Sequence, residues 1–129
     1  MALIPHNFDL PFNILRCAYI EYGVTNLEAS LHFYGDTLGL IHTETVDDAM
    51  YFRGIEEQDH HCYVLRKTKE PKALAVGFKV AFEEHLDVLE THLQVLGIRT
   101  EWVVKYAQER TLRAYSPQGI PLEFFAKTT

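Results

Sequence analysis

Short runs of β-branched, aromatic and apolar residues recur along this chain, and two longer segments carry apolar residues at helical spacing. Residues 14–24 (ILRCAYIEYGV) have the composition of a strand. Residues 25–39 predict a helix, with apolar side chains at Leu27, Leu31, Tyr34 and Leu38. Thr25 and Glu28 fit a capping box at the start of this helix, and Gly39 is a natural stop.

Three more strands are predicted after this helix, at residues 40–46, 49–55 and 60–67. The second half of the chain has the same plan. A strand at 74–80 precedes a helix at 82–97, whose apolar face is formed by Leu86, Leu89, Leu93 and Leu96. The last strands are predicted at 98–104, 110–116 and 121–127. The order of elements is therefore βαβββ, twice.

The two halves also match in sequence where each helix ends, at TLGL (37–40) and VLGI (95–98). Neither half has enough apolar residues for a core of its own, so the two should pair. We predict one α+β domain at residues 14–127, made of two βαβββ repeats (14–67 and 73–127) that form a half-open β-barrel. Residues 1–13 hold two prolines and predict an N-terminal arm.

Composition narrows the functional classes. The chain has 129 residues and a formal net charge of −6, which makes nucleic acid an unfavourable partner. Its two cysteines form no disulfide framework, and no apolar run is long enough for a membrane span or a signal peptide. Nucleotide-binding and zinc motifs such as GxGxxG, CxxC and HExxH are absent. We expect a cytoplasmic, soluble protein.

The segment GIEEQDHHCYVLRK (54–67) places His60, His61 and Cys62 side by side, and all three side chains can bind transition metals. If residues 60–66 form a strand, neighbouring side chains point to opposite faces. His61 would then share a face with Tyr63 and Leu65, and the two histidines would not serve one ion. The alternation favours a structural role for the pair and also separates Cys62 from His61 as a nucleophile and its base.

Glu123 is the most suggestive single carboxylate, because it lies between Leu122 and Phe124 in a strand. On an inward face it would need a partner, since an unpaired buried charge is costly. Tyr19 and His61 are both candidates for that partner. A paired structural role and a functional role are both open.

Two segments carry a family resemblance. IEYGVTNLEASLHFYGDTLGL resembles the first strand and helix, and AYSPQGIPLEFF the closing hairpin, of the vicinal oxygen chelate superfamily. That superfamily includes glyoxalase I, bleomycin-resistance proteins and extradiol catechol dioxygenases. Within it, the chain most resembles the N-terminal module of the homoprotocatechuate (3,4-dihydroxyphenylacetate) 2,3-dioxygenases, above all in YFRGIEEQDHHCYVLR. The resemblance covers about residues 14–127.

The resemblance implies where a metal site would be. In the full-length extradiol enzymes a C-terminal module binds Fe(II) or Mn(II) through two histidines and a glutamate. The corresponding positions here are Tyr19, Ala75 and Glu123, of which only the glutamate is a standard ligand. His61 is matched with Glu123 in the other repeat, where catalytic modules keep a proton-handling histidine. We therefore expect no metal or other cofactor on this chain, and His61 to be a remnant.

Three functions follow as expectations. The first is a non-catalytic N-terminal module that supports the Fe(II) ring-cleavage site of a second module. Because the chain ends directly after its last strand, where a second module would begin in that group, we expect a truncated enzyme. Its partner would be that module or a second copy of this chain, and the parent enzyme's substrate a catechol.

The second expectation is a stand-alone binding protein of the bleomycin-resistance type, with a ligand crevice lined by Tyr19, Tyr22, Tyr51, His61, Phe78, Trp102, Glu123 and Phe124. The third is a glyoxalase-like metalloenzyme assembled across a dimer, which Ala75 disfavours because the same gap would recur in every copy.

Overall fold

Eight strands form one mixed sheet in the computed structural model, which describes residues 10–128. Residues 1–9 of the predicted arm and Thr129 lie outside the described residues. The strands are β1 (Ile14–Val24), β2 (Ile41–Val46), β3 (Ala49–Arg53), β4 (Tyr63–Lys67), β5 (Lys72–Val80), β6 (Thr100–Val103), β7 (Thr111–Tyr115) and β8 (Pro121–Phe125). The helices are α1 (Leu27–Leu31), which continues as a π-helical turn (His32–Thr37), and α2 (Glu84–Val95).

The strand order shows how the two halves meet. It runs β2-β3-β4-β1-β5-β8-β7-β6, so each half contributes four neighbouring strands. The central pair, β1 and β5, is antiparallel, whereas β1 pairs with β4 and β5 with β8 in parallel. Strands β2 and β6 remain the two ends of a sheet that does not close. The predicted α+β fold with paired βαβββ modules in a half-open barrel is confirmed.

Strand alternation divides the side chains between an outer face, which carries the helices, and an inner face. Under α2, the outer face forms the main apolar cluster, which consists of Phe12, Val80, Leu86, Leu89, Leu112, Ala114, Phe124 and Ala126. Phe12 is only 8% exposed, so the described end of the predicted arm is anchored in this cluster. The inner face carries most of the buried charged groups, which are described below.

The first helix differs from its prediction at both ends. The residue that caps it is Asn26, whose Oδ1 accepts a hydrogen bond from the Ala29 amide at 3.0 Å, so the predicted Thr25 capping box is wrong. After Leu31 the turn widens, and the Leu38 amide bonds to the carbonyl five residues earlier. A wider turn rotates the side chains that follow it around the helix axis. Leu38, predicted on the apolar face, is therefore 56% exposed.

Helix α2 follows its prediction more closely. Leu86 and Leu89 are buried, and Gly97 has a φ of 78°, as expected for a helix stop. Leu96 is 62% exposed because the helix ends at Val95, one residue before it. None of the helices within residues 10–128 has the length and apolar character needed to cross a membrane.

Candidate functional site

Glu123 lies at the centre of a buried polar cluster on the inner face of the sheet. Its side chain is fully buried, and its Oε1 accepts a hydrogen bond from the Tyr19 hydroxyl at 2.5 Å. Arg113 donates to the other oxygen at 2.7 and 3.0 Å, and Lys105 Nζ lies 3.3 Å from Oε1. Burial alone would raise the pKa of Glu123, but Lys105 and these hydrogen bonds lower it below its ordinary value. The carboxylate is therefore charged and saturated with donors.

Gly77 makes the contact between Tyr19 and Glu123 possible. It lies on β5 between them, paired with Tyr19 on one side and with Glu123 on the other. A Cβ at this position would come within 2.2 Å of the Tyr19 ring. The Tyr19 ring therefore lies directly on the Gly77 backbone, where any other residue would clash with it. Burial, followed by the Glu123 charge, raises the pKa of Tyr19 far above its ordinary value, so the phenol stays a donor.

A second buried carboxylate, Glu21, lies next to this pair on β1. It is 6% exposed, and its two oxygens accept from Arg66 Nε at 3.2 Å and from Lys105 Nζ at 3.0 Å. Lys105 therefore bridges Glu21 and Glu123. It belongs to the loop after β6, so this bridge joins one end of the sheet to its centre.

Gln108, from the same loop, completes the cluster. Its Nε2 donates to the Tyr19 hydroxyl oxygen at 3.1 Å and to Thr111 Oγ1 at 2.8 Å. Its Oε1 is buried and has no hydrogen-bond partner within residues 10–128. We call the set Tyr19, Glu21, Lys105, Gln108 and Glu123 the inner cup.

The two adjacent histidines are in contact, contrary to prediction. Strand β4 begins at Tyr63 rather than at residue 60, so strand alternation does not separate them. Their Nδ1 atoms are 2.9 Å apart, and the Nε2 of His60 lies 2.7 Å from Glu44 Oε1. The pair forms a hydrogen-bonded chain from the half-buried Glu44 to the interior.

His61 is the buried member of this pair. It is 2% exposed, and its ring centre lies 5.3 Å from that of Tyr19 and 5.0 Å from that of Tyr51. Burial lowers its pKa to about 4, with the positive charges of His60 and Lys105 adding to the effect. The imidazole is therefore neutral at pH 7.

The face predicted for His61 is also wrong. Along β4, Arg66 turns inward to Glu21, whereas Tyr63 stacks on Tyr22 on the outer face. His61 thus belongs with the inner residues and not with Tyr63. Its predicted match with Glu123 does not hold in the strand register either. Ile20 on β1 corresponds to Val76 on β5 in the second repeat, 56 residues later. Ile20 pairs with Tyr63 and Val76 pairs with Leu122, so Tyr63 corresponds to Leu122. The residue that corresponds to Glu123 is therefore Val64.

The loop after β6 also reaches the opposite end of the sheet. The Tyr106 hydroxyl donates to Glu44 Oε2 on β2 at 2.9 Å, and its ring lies against Tyr51 with centres 5.4 Å apart. Both ends of the open sheet are therefore linked on the inner face. Lys105 and Gln108 from this loop fill the space in front of Glu123.

The residues predicted to line one ligand crevice fall in separate places. Tyr19, Tyr51, His61 and Glu123 come together on the inner face. Tyr22 lies on the outer face, where it stacks on Tyr63. Phe124 is part of the cluster under α2, and Phe78 packs against it with the two ring centres 5.6 Å apart. Trp102 lies beneath the Arg110 guanidinium, 4.4 Å from its ring centre, beside a surface groove of about 260 Å³.

The inner cup does not fit an iron or manganese ion. At the positions implied by the resemblance, Ala75 is buried opposite Glu21 and offers no ligand atom, Tyr19 is a neutral phenol, and Glu123 is already occupied by cations. Within residues 10–128 no group of three or more His, Cys, Asp or Glu side chains is arranged to hold a metal.

The glyoxalase/bleomycin resistance protein/dioxygenase superfamily model matches residues 16–121. The chain belongs to this superfamily. Metapyrocatechase of Pseudomonas sp. (strain CF600) is 30% identical over 117 residues, which are 88% of this chain and 38% of that protein. The manganese-dependent 2,3-dihydroxybiphenyl 1,2-dioxygenase of Geobacillus genomosp. 3 is 22% identical over 87% of this chain and 36% of its own length.

Solved structures extend this similarity. An extradiol ring-cleaving dioxygenase from B. fuscum matches with a TM-score of 0.87 and 38% identity, over 98% of this chain and 36% of that one. Homoprotocatechuate 2,3-dioxygenase from Arthrobacter globiformis matches with a TM-score of 0.85 and 36% identity, over 93% of this chain and 38% of that one. The predicted resemblance is confirmed. The chain spans less than two fifths of the length of these relatives.

Sequence reasoning missed most of the inner cup. Glu21 could have been found, because it lies two residues from Tyr19 on the same strand face. Lys105 and Gln108 carry no such signal, since they belong to a loop and reach Glu21 and Tyr19 across 84 and 89 residues.

Proposed function

We propose that this chain is a non-catalytic module of an extradiol, homoprotocatechuate-type 2,3-dioxygenase, and that it supports an Fe(II) ring-cleavage site in a second module. The saturation of Glu123 carries this proposal. It is the one residue of a standard ligand type at the implied metal positions, and its oxygens are bound by Tyr19, Arg113 and Lys105. A metal ion would have to displace these donors and would find no second ligand at Ala75.

The coverage of the relatives supports the same proposal. Enzymes named as dioxygenases match this chain over less than two fifths of their own length, which leaves room in them for a second module. A partner is therefore part of the proposal: a second module of the same enzyme, with a second copy of this chain as the other candidate. The catechol substrate, the iron or manganese and the cytoplasmic location would belong to the assembled enzyme.

The first experiment is metal analysis coupled to a ring-cleavage assay. The purified chain is incubated without oxygen with Fe(II) or Mn(II), desalted and analysed by mass spectrometry. It is then assayed with 3,4-dihydroxyphenylacetate, which is bound in one related structure. We expect well below 0.1 metal per chain and no turnover. One tightly held ion per chain, or ring cleavage by the chain alone, would overturn the proposal and favour the glyoxalase-like metalloenzyme.

The second experiment tests the supporting role. A separately produced metal-binding module of a homoprotocatechuate 2,3-dioxygenase is mixed with this chain and examined by size-exclusion chromatography with light scattering. We expect a stable complex whose ring-cleavage activity exceeds that of the metal-binding module alone. A chain that forms no complex, but whose Trp102 fluorescence responds to catechols, would instead favour the stand-alone binding protein. Trp102 is paired in register with Leu112, whose side chain lies in the cluster under α2, so its ring does not share a face with Tyr19 and His61, and this argues against that outcome.

A further inference from the structure

The pairing of the two central strands is symmetric between the repeats. Arg16 on β1 pairs with Lys79 on β5, and Gly23 on β1 pairs with Lys72 on β5. Arg16 and Lys72 are 56 residues apart, as are Gly23 and Lys79, so exchanging the repeats turns one pair into the other. The segment before β1 (residues 10–13) and the segment before β5 (residues 68–71) are therefore equivalent, and each approaches the helix of the other repeat.

The segment before β1 fills its place against α2. The Asn13 carbonyl accepts a hydrogen bond from the Ala81 amide at 3.0 Å, and the Asn13 amide donates to Nδ1 of His85 at 3.1 Å. These bonds fix Phe12 in the cluster under α2, where its ring centre lies 5.3 Å from that of His92. One aromatic side chain on a short irregular segment thus completes the outer layer of the second repeat.

The segment before β5 leaves its place open. Residues 69–71 are exposed, and Pro71 lies on the edge of a cleft of about 360 Å³ beside α1. We call it the α1 cleft; its walls include Val24, Ala29, Phe33, Tyr34 and Pro71. Phe33 is 49% exposed, and no residue of α1 or its π-helical turn is buried, whereas α2 buries Leu86 and Leu89. The first repeat lacks the aromatic side chain that completes the second.

One edge of the α1 cleft is positively charged. Residues 67–72 carry three lysines and one glutamate, although the chain as a whole has a net charge of −6. The three lysines are exposed, and none of them forms an ion pair in the described part of the chain. This edge attracts an acidic residue that lies close to an aromatic one. The sequence before β1 has that combination, with Asp9 three residues before Phe12.

We propose that the α1 cleft docks a segment of a protein partner that presents an aromatic side chain close to an acidic one. In the proposed dioxygenase this partner is the second module, so the inference deepens the proposed function and rests on it. The aromatic ring packs against Phe33 and Pro71, beside the small side chains of Ala29 and Ser30, and buries apolar surface that α1 leaves in water. The partner thus supplies to the first repeat what Phe12 supplies to the second.

A peptide titration tests the cleft by itself. The probe is acetylated and amidated DLPFN, the sequence of residues 9–13, and amide chemical shifts of the isotope-labelled chain are recorded. We expect a Kd of about 1 mM, because a short peptide loses much freedom on binding, with shift changes concentrated at residues 24–34 and 69–72. The chain's own tethered segment keeps the place under α2. The peptide DLPAN should bind about tenfold more weakly, and NLPFN about twofold, because exposed charges contribute little.

Variants then connect the cleft with the second module. Ala29→Arg places a long charged side chain in the cleft at an exposed helical position, and Phe33→Ala removes one wall. Val95→Arg, at an 82% exposed position on α2, is the matched control. We expect Ala29→Arg to abolish the peptide shifts and to weaken the complex with a separately produced metal-binding module by about tenfold. Phe33→Ala should have a smaller effect in the same direction, and Val95→Arg none.

Three outcomes would overturn this inference: shift changes at α2 instead of the cleft, equal binding of DLPFN and DLPAN, or a module complex that the cleft variants leave intact. If Ala29→Arg does not fold, Phe33→Ala decides. A dimer of the chain alone that Phe33→Ala disrupts would put a second copy in place of the second module. If the natural chain forms no complex with that module, the proposed function fails, whereas the peptide titration still decides whether the cleft docks such a segment.

Discussion

Protonation of His61 should destabilise the folded chain, because its imidazole is buried. The pKa of His61 in the folded chain is about 4, against an ordinary value of 6.5, owing to burial and then to the charges of His60 and Lys105. The folded-state pKa therefore lies below the unfolded one. Between these values the unfolded chain binds the proton first. The free energy of unfolding that depends on a neutral His61 is fully present above the unfolded-state pKa of 6.5 and is lost as the pH falls toward 4.

The size of this effect follows from the shift. One pKa unit corresponds to about 1.36 kcal/mol, so lowering the pH from 6.5 to 5 should cost about 2 kcal/mol at His61 alone. Continuing to pH 4 should bring the loss to about 3 kcal/mol. The pKa of Glu123 is lowered below its ordinary 4.5, so this carboxylate begins to contribute, with the same sign, only below that pH. The interval from pH 5 to 7 therefore isolates the histidine.

The assay is urea unfolding at several pH values between about 5 and 7, applied to the natural chain, to His61→Gln and to His32→Gln. His32 is the matched control, because its side chain is 76% exposed. We expect the free energy of unfolding of the natural chain and of His32→Gln to fall by about 2 kcal/mol over this interval. His61→Gln should lose less than half of that. Equal pH slopes for the natural chain and His61→Gln would refute the assignment.

Two further predictions concern the backbone positions that shape the site and the first helix. Gly77→Ala should lower the free energy of unfolding by about 2 to 3 kcal/mol, because its Cβ would displace the ring of Tyr19, whereas Gly54→Ala, with no atom within 4 Å of the added Cβ, should cost far less. Equal losses in urea unfolding would contradict this. Asn26→Ala should cost about 1 kcal/mol and Thr25→Ala much less, and the reverse order would restore the capping box inferred from sequence.

The elements themselves could be predicted from sequence because their signals are local. Gly39 and Gly97 end their helices with φ values of 81° and 78°, a backbone region that glycine adopts without strain. Runs of β-branched, aromatic and apolar residues likewise predict all eight strands, and the match of the two helix ends indicates the duplication. These features depend on neighbours in the chain.

The site was predicted only in part, because one boundary controls several side chains. Residues 60–62 have the composition of a strand, but β4 starts at Tyr63. A strand from residue 60 would put His61 on the face of Tyr63 and His60 on the other face, whereas His61 lies on the inner face in contact with His60. A shift of this kind moves every side chain to the other face. Tyr19, by contrast, was one of two partners considered for Glu123, and the structure supplies it.

The inner cup shows how a module of this superfamily can keep its fold without a metal. Two buried carboxylates are expensive unless cations accompany them. Here the cations belong to the chain itself: Arg66 on β4, Arg113 on β7 and Lys105 on the loop after β6. Stabilisation by a bound ion depends on its concentration, whereas stabilisation by tethered side chains does not. An inner face built in this way needs no bound ion to balance the charge of its two carboxylates.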